Sequence, residues 1–458
     1  MKNKIIAISL LLLFILTSGF GCKGVDKEVQ EAMKPITLEY WRVFDGPDTF
    51  EEIIKNYNRI HPFINIEYKK LRYEEYEDEL LNALAEDRGP DMFSIHNTWM
   101  KKYENKIKPL PEQITMAYPV EKGSIKKEII PELRTKRTIS PKQLKDIFVD
   151  VVSHDVVFDD NKIYGLPMYV DTLALYYNRS LLNNAGIATI PKYWNSEFQQ
   201  SVKKLTKHDN RYGIIQSGVS LGGSDNIERY SDILSLLMMQ NGAIMLNDSN
   251  QVQFHSIPPA FKSDDYNPGL EALRFYTDFS NPTKEVYSWN EDLNSSMEMF
   301  ISGNLALTFS YSYSLEDIKN RAPKLNFSVA KMPQIEGNPI DINFANYWIE
   351  VVSKKSKYAD EAWDFIHFAT SQEQVTSYLD ETNKPTAIRS IISEQEIENP
   401  ELSIFANQTL TARSWYQGES PQAMEEIMGE MIDSIINKES ELIEAINLAA
   451  SKVQQTIN

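Results

Sequence analysis

An α/β protein of two lobes, with the chain crossing between them several times, is what this sequence predicts. Three observations carry the prediction. Strand-like alternation and helix-like spacing take turns between residues 36 and 95, the pattern of a parallel sheet with right-handed crossovers. The apolar, β-rich segment at 164–178 reads as a strand passing between units. The chain also has 458 residues, 42% of them apolar, which is core material for two or three domains.

The elements follow in order. Ile36, Leu38 and Tyr40 alternate as a strand. Asp48-x-x-Glu51 has the form of a capping box, and Phe50, Ile53, Ile54, Tyr57 and Ile60 recur at helical spacing until His61-Pro62 stops them. Ile64, Ile66 and Tyr68 alternate again, Tyr73 to Asp87 is helical, and Met92 to Ile95 is a third strand. Across 108–155, five prolines at 109, 111, 119, 131 and 141 punctuate what read as short helical pieces. Further on, helices are expected over 191–207, 227–240, 267–280, 294–302, 357–370 and 424–437. Strands are expected over 305–309, 327–330 and 347–352. Asn241-Gly242 is the stop of the second of those helices.

The amino end reads MKNKIIAISLLLLFILTSGFGC. Lys2 and Lys4 precede a twelve-residue apolar run, Ile5 to Leu16, too short for a membrane span and suited to a signal peptide over 1–21. Cys22 is the only cysteine. Its place directly after the signal core resembles a bacterial lipobox, although Gly19 and Phe20 depart from the usual Leu and small residue there. Acylation of Cys22 would anchor the chain by lipid tails, with 22–34 as a polar tether.

Charge and motif exclude much. Sixty-five acidic residues against 47 basic ones, a net charge of −18, repel phosphate backbones, so no nucleic-acid partner is expected. The six histidines are scattered without metal-ligand spacing, and no nucleophile elbow, phosphate loop or EF-hand is present. No catalytic residue, cofactor or metal is therefore expected. The glycine-rich GVSLGGSDN at 218–226 has no lysine and reads as a turn before a capped helix.

Aromatic residues beside polar ones are the positive signal. In open parallel sheets ligands gather beyond the carboxyl ends of the strands. There the sequence places Trp41, Arg42 and Asp45 after the first strand, and Asn97 and Trp99 after the third. Tyr169, Asp171, Trp289, Tyr311, Tyr313, Trp348 and Trp415 add to the set. Flat rings cover the C–H face of a pyranose while Asp, Asn and Arg bind its hydroxyl rim. Each of Trp41, Trp99, Trp289 and Trp415 either lines a cleft or turns into the core, and Arg42 either meets ligand or forms an ion pair. Trp194 and Trp363, set among apolar neighbours, read as core.

Several ordered segments then carry a resemblance. YGLPMYVDTLALYYNRSLLNNAG at 164–186, Gly89-Pro90-Asp91, Pro191-x-x-Trp194, MMQNGAIML at 238–246, Met299-Phe300-x-x-Gly303-Asn304-x-Ala306, Met332-Pro333 and VVSKKSKYADEAWDFIHFATS at 351–371 lead to the final AINLAASKVQQTIN. From about residue 35 onward the chain resembles the extracellular solute-binding proteins of ABC importers, in the sugar-binding group that includes maltose-binding protein. The resemblance implies a periplasmic-binding-protein-like α/β fold. Each lobe would be a mixed or parallel sheet flanked by helices, joined by a multi-segment hinge. It places 35–168 with 334–397 in the amino-terminal lobe and 172–330 with 400–458 in the carboxyl-terminal lobe, with crossings near 167–172, 330–333 and 396–401.

The resemblance also implies a sugar held between closing lobes, an ABC permease as partner, a monomer, and export to the outer face of the cytoplasmic membrane. Asp171 matches an acidic position that bonds sugar hydroxyls, and Tyr311 and Tyr313 match a loop where tryptophan is usual. Thr98 and Trp99 replace charged contacts, and Ala345-Asn346-Tyr347-Trp348 replaces a glycine-rich approach. Two other readings stay open: the same scaffold with a non-sugar solute such as glycerol phosphate, a peptide or a metal chelate, and a secreted carbohydrate-active enzyme.

Overall fold

Strand Ile36–Val43 shows why the first sheet forms where it does. Leu38 and Tyr40 alternate with exposed neighbours, then Trp41, Arg42 and Val43 are all buried as the strand enters the middle of the sheet. The computed structural model describes residues 27–122 and 128–457, so the signal segment 1–21 and Cys22 lie outside the described residues. Ile36–Val43 pairs in parallel with Ile64–Leu71, in register from Ile36↔Ile64 to Val43↔Leu71, and with Met92–His96. Trp348–Ser353, buried along its whole length, runs antiparallel to Met92–His96 and carries Ile107–Lys108 and Leu166–Pro167. A strand buried on both faces loses the polar alternation of a half-exposed one.

Helix Asp48–Ile60 packs Phe50, Ile53 and Tyr57 inward and ends at His61. The expected capping box is absent. Pro47 occupies the cap position, and Asp48 and Glu51 sit inside the first turn, where the helix dipole favours carboxylates. Between Leu110 and Ser140 the expected helical pieces give way to a long hairpin, Gln113–Lys122 with Glu128–Arg137. Pro119 and Pro131 face each other in its register. Such a pair fits only where neither backbone N–H is needed by the ladder, so two prolines that read as breakers are compatible with a strand. Residues Lys27–Ala32, expected as unpatterned tether, form a short helix packed against this hairpin.

The second sheet has the order Lys207–His208, Ile214–Val219, Leu305–Ser310, Ala174–Asn178, Phe327–Ala330, parallel only between its second and third strands. Helix Tyr230–Gln240, ten of whose residues are buried, runs through the centre of this lobe and stops at Asn241-Gly242, where Gly242 takes φ +98°. Helix Pro421–Ile436 packs against it, and Leu442–Ile457 closes the chain on Pro421–Ile436 and Pro268–Asp278.

Two hydrophobic cores result. Tyr169 and Val170 belong to the first and Leu173 to the second. Met332, Ile342 and Phe344 still pack in the second core, and Ala345 is the next residue in the first. The changeover expected at 330–333 therefore falls after Phe344, because Gln240 of the second-lobe helix Tyr230–Gln240 donates to the carbonyls of Pro333 and Ile342 and holds this segment there. Ile392 lies in the first core and Leu402 and Phe405 in the second. Ala406 and Ala412 return to the first before Trp415 rejoins the second. The carboxyl-terminal segment thus touches both lobes on its way. At the junction a three-stranded sheet, Ala412–Arg413 with Asn343–Asn346 with Asp171–Thr172, binds these crossings together as the hinge.

Candidate functional site

Three cavities lie between residues of the two cores. The first, about 440 Å³, is bounded by Asn97, Asp155 and Phe158 on one side and by Asp248, Trp415 and Tyr416 on the other. The second, about 650 Å³, sets Tyr73, His96 and Trp99 opposite Arg229 and Glu425. The third, about 450 Å³, lies at the hinge among Tyr169, Asp171, Tyr313, Asn346 and Lys384. Asn97 and Trp415 thus share one cavity, Trp99 lines another, and Tyr169, Asp171 and Tyr313 share the third. The remaining expected site residues line none of these three.

Their burial explains why. Trp289 is fully buried, donating its indole N–H to Asn226 at 2.7 Å, which makes it a core residue of the second lobe and takes it out of the cleft. Trp41 packs in the first core with the Lys69 ammonium 4.1 Å from its ring centroid. Arg42 is 1% exposed and forms an internal ion network: Glu350 at 3.0 Å, Asp45 at 3.3 Å and Ser94 at 3.0 Å. Asp45 is taken up by the same network, accepting from Lys384 at 2.6 Å and Tyr378 at 2.8 Å. Burial alone would raise the Asp45 carboxyl, but Arg42 and Lys384 outweigh it and hold the group below its ordinary range. Tyr311 is buried, its hydroxyl donating to Asp232 at 2.6 Å.

The surfaces facing the cleft are built on these buried groups. In the first lobe Trp348, 6% exposed, is the pedestal: Phe44, Tyr73, Tyr76, His96 and Trp99 all meet it edge-on. On that pedestal Phe44 and Tyr73 stack at 5.6 Å and are 52% and 54% exposed. In the second lobe Tyr313, 57% exposed, stacks on the buried Tyr311 at 5.9 Å. Arg229 lies over the same Tyr311 ring, fixed by Asp232 through Nε at 2.8 Å and Nη2 at 2.5 Å. It holds φ +61°, a strained backbone for a side chain of this size, at the start of the central helix.

Phe44, Tyr73, His96, Arg229 and Asp232 were not singled out from sequence. Phe44 and Tyr73 follow strands and so carried the same positional signal as Trp41 and Trp99. Arg229 lies three residues past the glycine-rich turn 218–226, and that turn was the only hint of it.

Two titrating groups have opposite signs. His96, held by Thr98 at 2.8 Å, is pushed down to about 4 by burial, with Arg229 adding repulsion and Asn346, Asp232 and Asp155 opposing. Its unfolded counterpart takes a proton near pH 6.5, so stability from this group is lost as pH falls from about 6.5 to about 4. His96→Gln is expected to flatten that limb of the Tm–pH curve, and an unchanged slope would contradict the assignment.

Asp171 accepts from the Ser312 amide at 2.9 Å, the Ser312 hydroxyl at 2.7 Å and the Thr172 amide at 2.8 Å. Burial still pushes it up to about 7, more than those donors lower it. Its contribution therefore declines as pH rises from about 4 to about 7. It ties the first crossing to the loop carrying Tyr313, so its carboxylate is already engaged within the hinge.

The profile of the bacterial extracellular solute-binding proteins matches residues 45–376, most of the chain. This chain is a member of that family. Among the relatives of this solute-binding protein, the multiple sugar-binding protein of Streptococcus mutans is 23% identical over 238 residues, 51% of this chain and 53% of that one. The galactooligosaccharide-binding protein of Bacillus subtilis is 20% identical over 69% of this chain and 68% of its own length. Among solved structures, the cyclic alpha-maltosyl-1,6-maltose binding protein from Arthrobacter globiformis superimposes with a TM-score of 0.72 at 17% identity, covering 92% and 99% of the two chains. The two-lobed fold of this solute-binding protein is thereby shared. Among the described residues no helix is long and apolar enough to cross a membrane, and no group of three His, Cys, Asp or Glu could hold a metal ion.

Proposed function

We propose that this solute-binding protein is the saccharide receptor of an ABC importer, holding a sugar between its lobes without chemical change. The observation that carries the reading is the pair of exposed aromatic faces, Phe44–Tyr73 on one lobe and Tyr313 on the other, flanking cavities rimmed by carboxylates and amides. Rings cover a sugar's apolar face and the rim takes its hydroxyls. Contact with both lobes stabilises the closed arrangement, so binding drives hinge closure, and the closed form is what a permease would receive. Acylation of Cys22 would hold the monomer at the outer face of the membrane. The sugar-binding relatives support the ligand class.

Thermal unfolding with a panel of mono- and oligosaccharides tests this. A ligand at about 100 times its Kd adds roughly 2.7 kcal/mol, enough to raise Tm by a few degrees. The sugar should be recovered intact, and release of a cleaved product would favour the enzyme reading. Tyr73→Ala and Tyr313→Ala are each expected to weaken the bound saccharide roughly tenfold, about 1.4 kcal/mol. Both side chains are more than half exposed, so stability should change little. Undiminished affinity in both variants would remove the aromatic clamp from the reading.

A further inference from the structure

We propose that the saccharide is cationic, an oligosaccharide carrying free amino groups of the hexosamine class. The proposal rests on the saccharide reading above and narrows it.

Every cation lining the three cavities, His96 and His154 apart, is already neutralised from within. Lys102 pairs with Glu77 at 2.6 Å, Lys101 with Glu104 at 2.6 Å, Arg229 with Asp232, Lys384 with Asp45, and Lys319 with Glu401. That leaves no cation over for a phosphate or carboxylate ligand. His96 is held neutral at pH 7, and His154 already faces Asp155 at 2.9 Å.

The carboxylates are in excess. Glu74, Asp78 and Glu425 surround the cavity that holds Tyr73 and Trp99, and Asp159 and Asp248 surround the one that holds Trp415. Among the described residues none of these five forms an ion pair within 4 Å. A cleft lined by one sign of charge concentrates ligands of the other. Glu425 reports the imbalance: burial raises its carboxyl, Asp232 and Glu426 add to the rise, and Arg229 does not cancel it.

An independent observation points to a donor-rich ligand. Asn97 is 5% exposed, and its amide nitrogen donates to Asp155 at 3.2 Å. Its Oδ1 meets no donor, and the residue lines the cavity with Trp415. A buried acceptor in that state costs about 1–3 kcal/mol until a donor reaches it. An ammonium brings three donors and a full charge, and the ring of Tyr73, more than half exposed, adds a surface that attracts cations.

Calorimetric titration of the purified protein with three tetrasaccharides tests the proposal: a de-N-acetylated hexosamine tetramer, its N-acetylated counterpart and a glucose tetramer. At low ionic strength the amine is expected to bind roughly tenfold tighter than the acetylated form. The preference should shrink toward parity at about 0.5 M salt. Glu425→Gln and Asp248→Asn should each reduce the ratio of amine to acetylated affinity about threefold. Equal or weaker binding of the amine, with either neutral tetramer bound, overturns the cationic ligand and leaves the saccharide receptor standing. No binding of any tetramer overturns this proposal, and the receptor reading falls with it if the mono- and oligosaccharide panel also leaves Tm unchanged.

Discussion

Arg42→Met is expected to destabilise the protein by about 3–5 kcal/mol. The loss comes less from the missing attraction than from what is left behind. Glu350 is 1% exposed and lies in an inner strand of the first sheet. It accepts from Tyr40 and Ser94, each at 2.6 Å, and among the described residues Arg42 at 3.0 Å is its one counter-charge. Removing the guanidinium leaves a carboxylate in an apolar interior, a far larger penalty than deleting a surface pair. Arg42 also lies 4.6 Å over the Phe50 ring, so the aliphatic replacement keeps much of the packing. The double variant Arg42→Met with Glu350→Gln should therefore recover a large part of the loss. Urea unfolding of the three proteins measures it, and a single-variant loss below about 1 kcal/mol would show that Arg42 is dispensable to the core.

Trp289→Ala should cost a similar amount, about 3–5 kcal/mol, while the molecules that remain folded bind saccharide as before. The side chain is fully buried in the second core, against the turn at Gly223. Its indole N–H is held by Asn226, whose amide in turn donates to the carbonyls of Asn290 and Leu293 at 2.9 Å each. The ring therefore fills the core and orders the loop that follows it. Trp289→Phe keeps most of the volume and strands the Asn226 oxygen, for a smaller loss of about 1–3 kcal/mol. Paired denaturation and calorimetry distinguish the roles. Lost affinity at unchanged stability would return Trp289 to the cleft.

Arg42 and Trp289 also show where sequence reading reached its limit. Both stand where a ligand residue should stand, beside polar neighbours near strand ends or in loops. The identity of an aromatic or a cation in such a place is legible, but its direction is not, because that depends on which distant segment lies above it. For Arg42 that segment is Glu350, more than three hundred residues on. The strands and helices with clear periodicity, such as Ile64–Leu71 and Ala359–Ala369, were legible because one face of each meets the core. The hairpin at 113–137 was not, since its facing prolines mimic helix breakers. Tyr313 was named among the loop aromatics and is exposed after Leu305–Ser310, whereas Arg229 was not named, because a glycine-rich turn a few residues earlier does not mark a left-handed arginine.

The position of Trp348–Ser353 in the first sheet also dictates an order of events. The strand lies between Met92–His96 and Ile107–Lys108, some 240 residues later in the chain. A chain emerging amino end first holds its early strands long before the one that completes their sheet exists. Most of the second lobe is made in between, and its closing helices come last of all. Neither lobe can then finish well ahead of the other, and pairings so distant in sequence make folding slow. A chain cut before Trp348 should yield no folded first lobe. For a member of an extracellular family, the delay leaves the polypeptide unfolded through most of its synthesis, a state in which a chain can be threaded across a membrane.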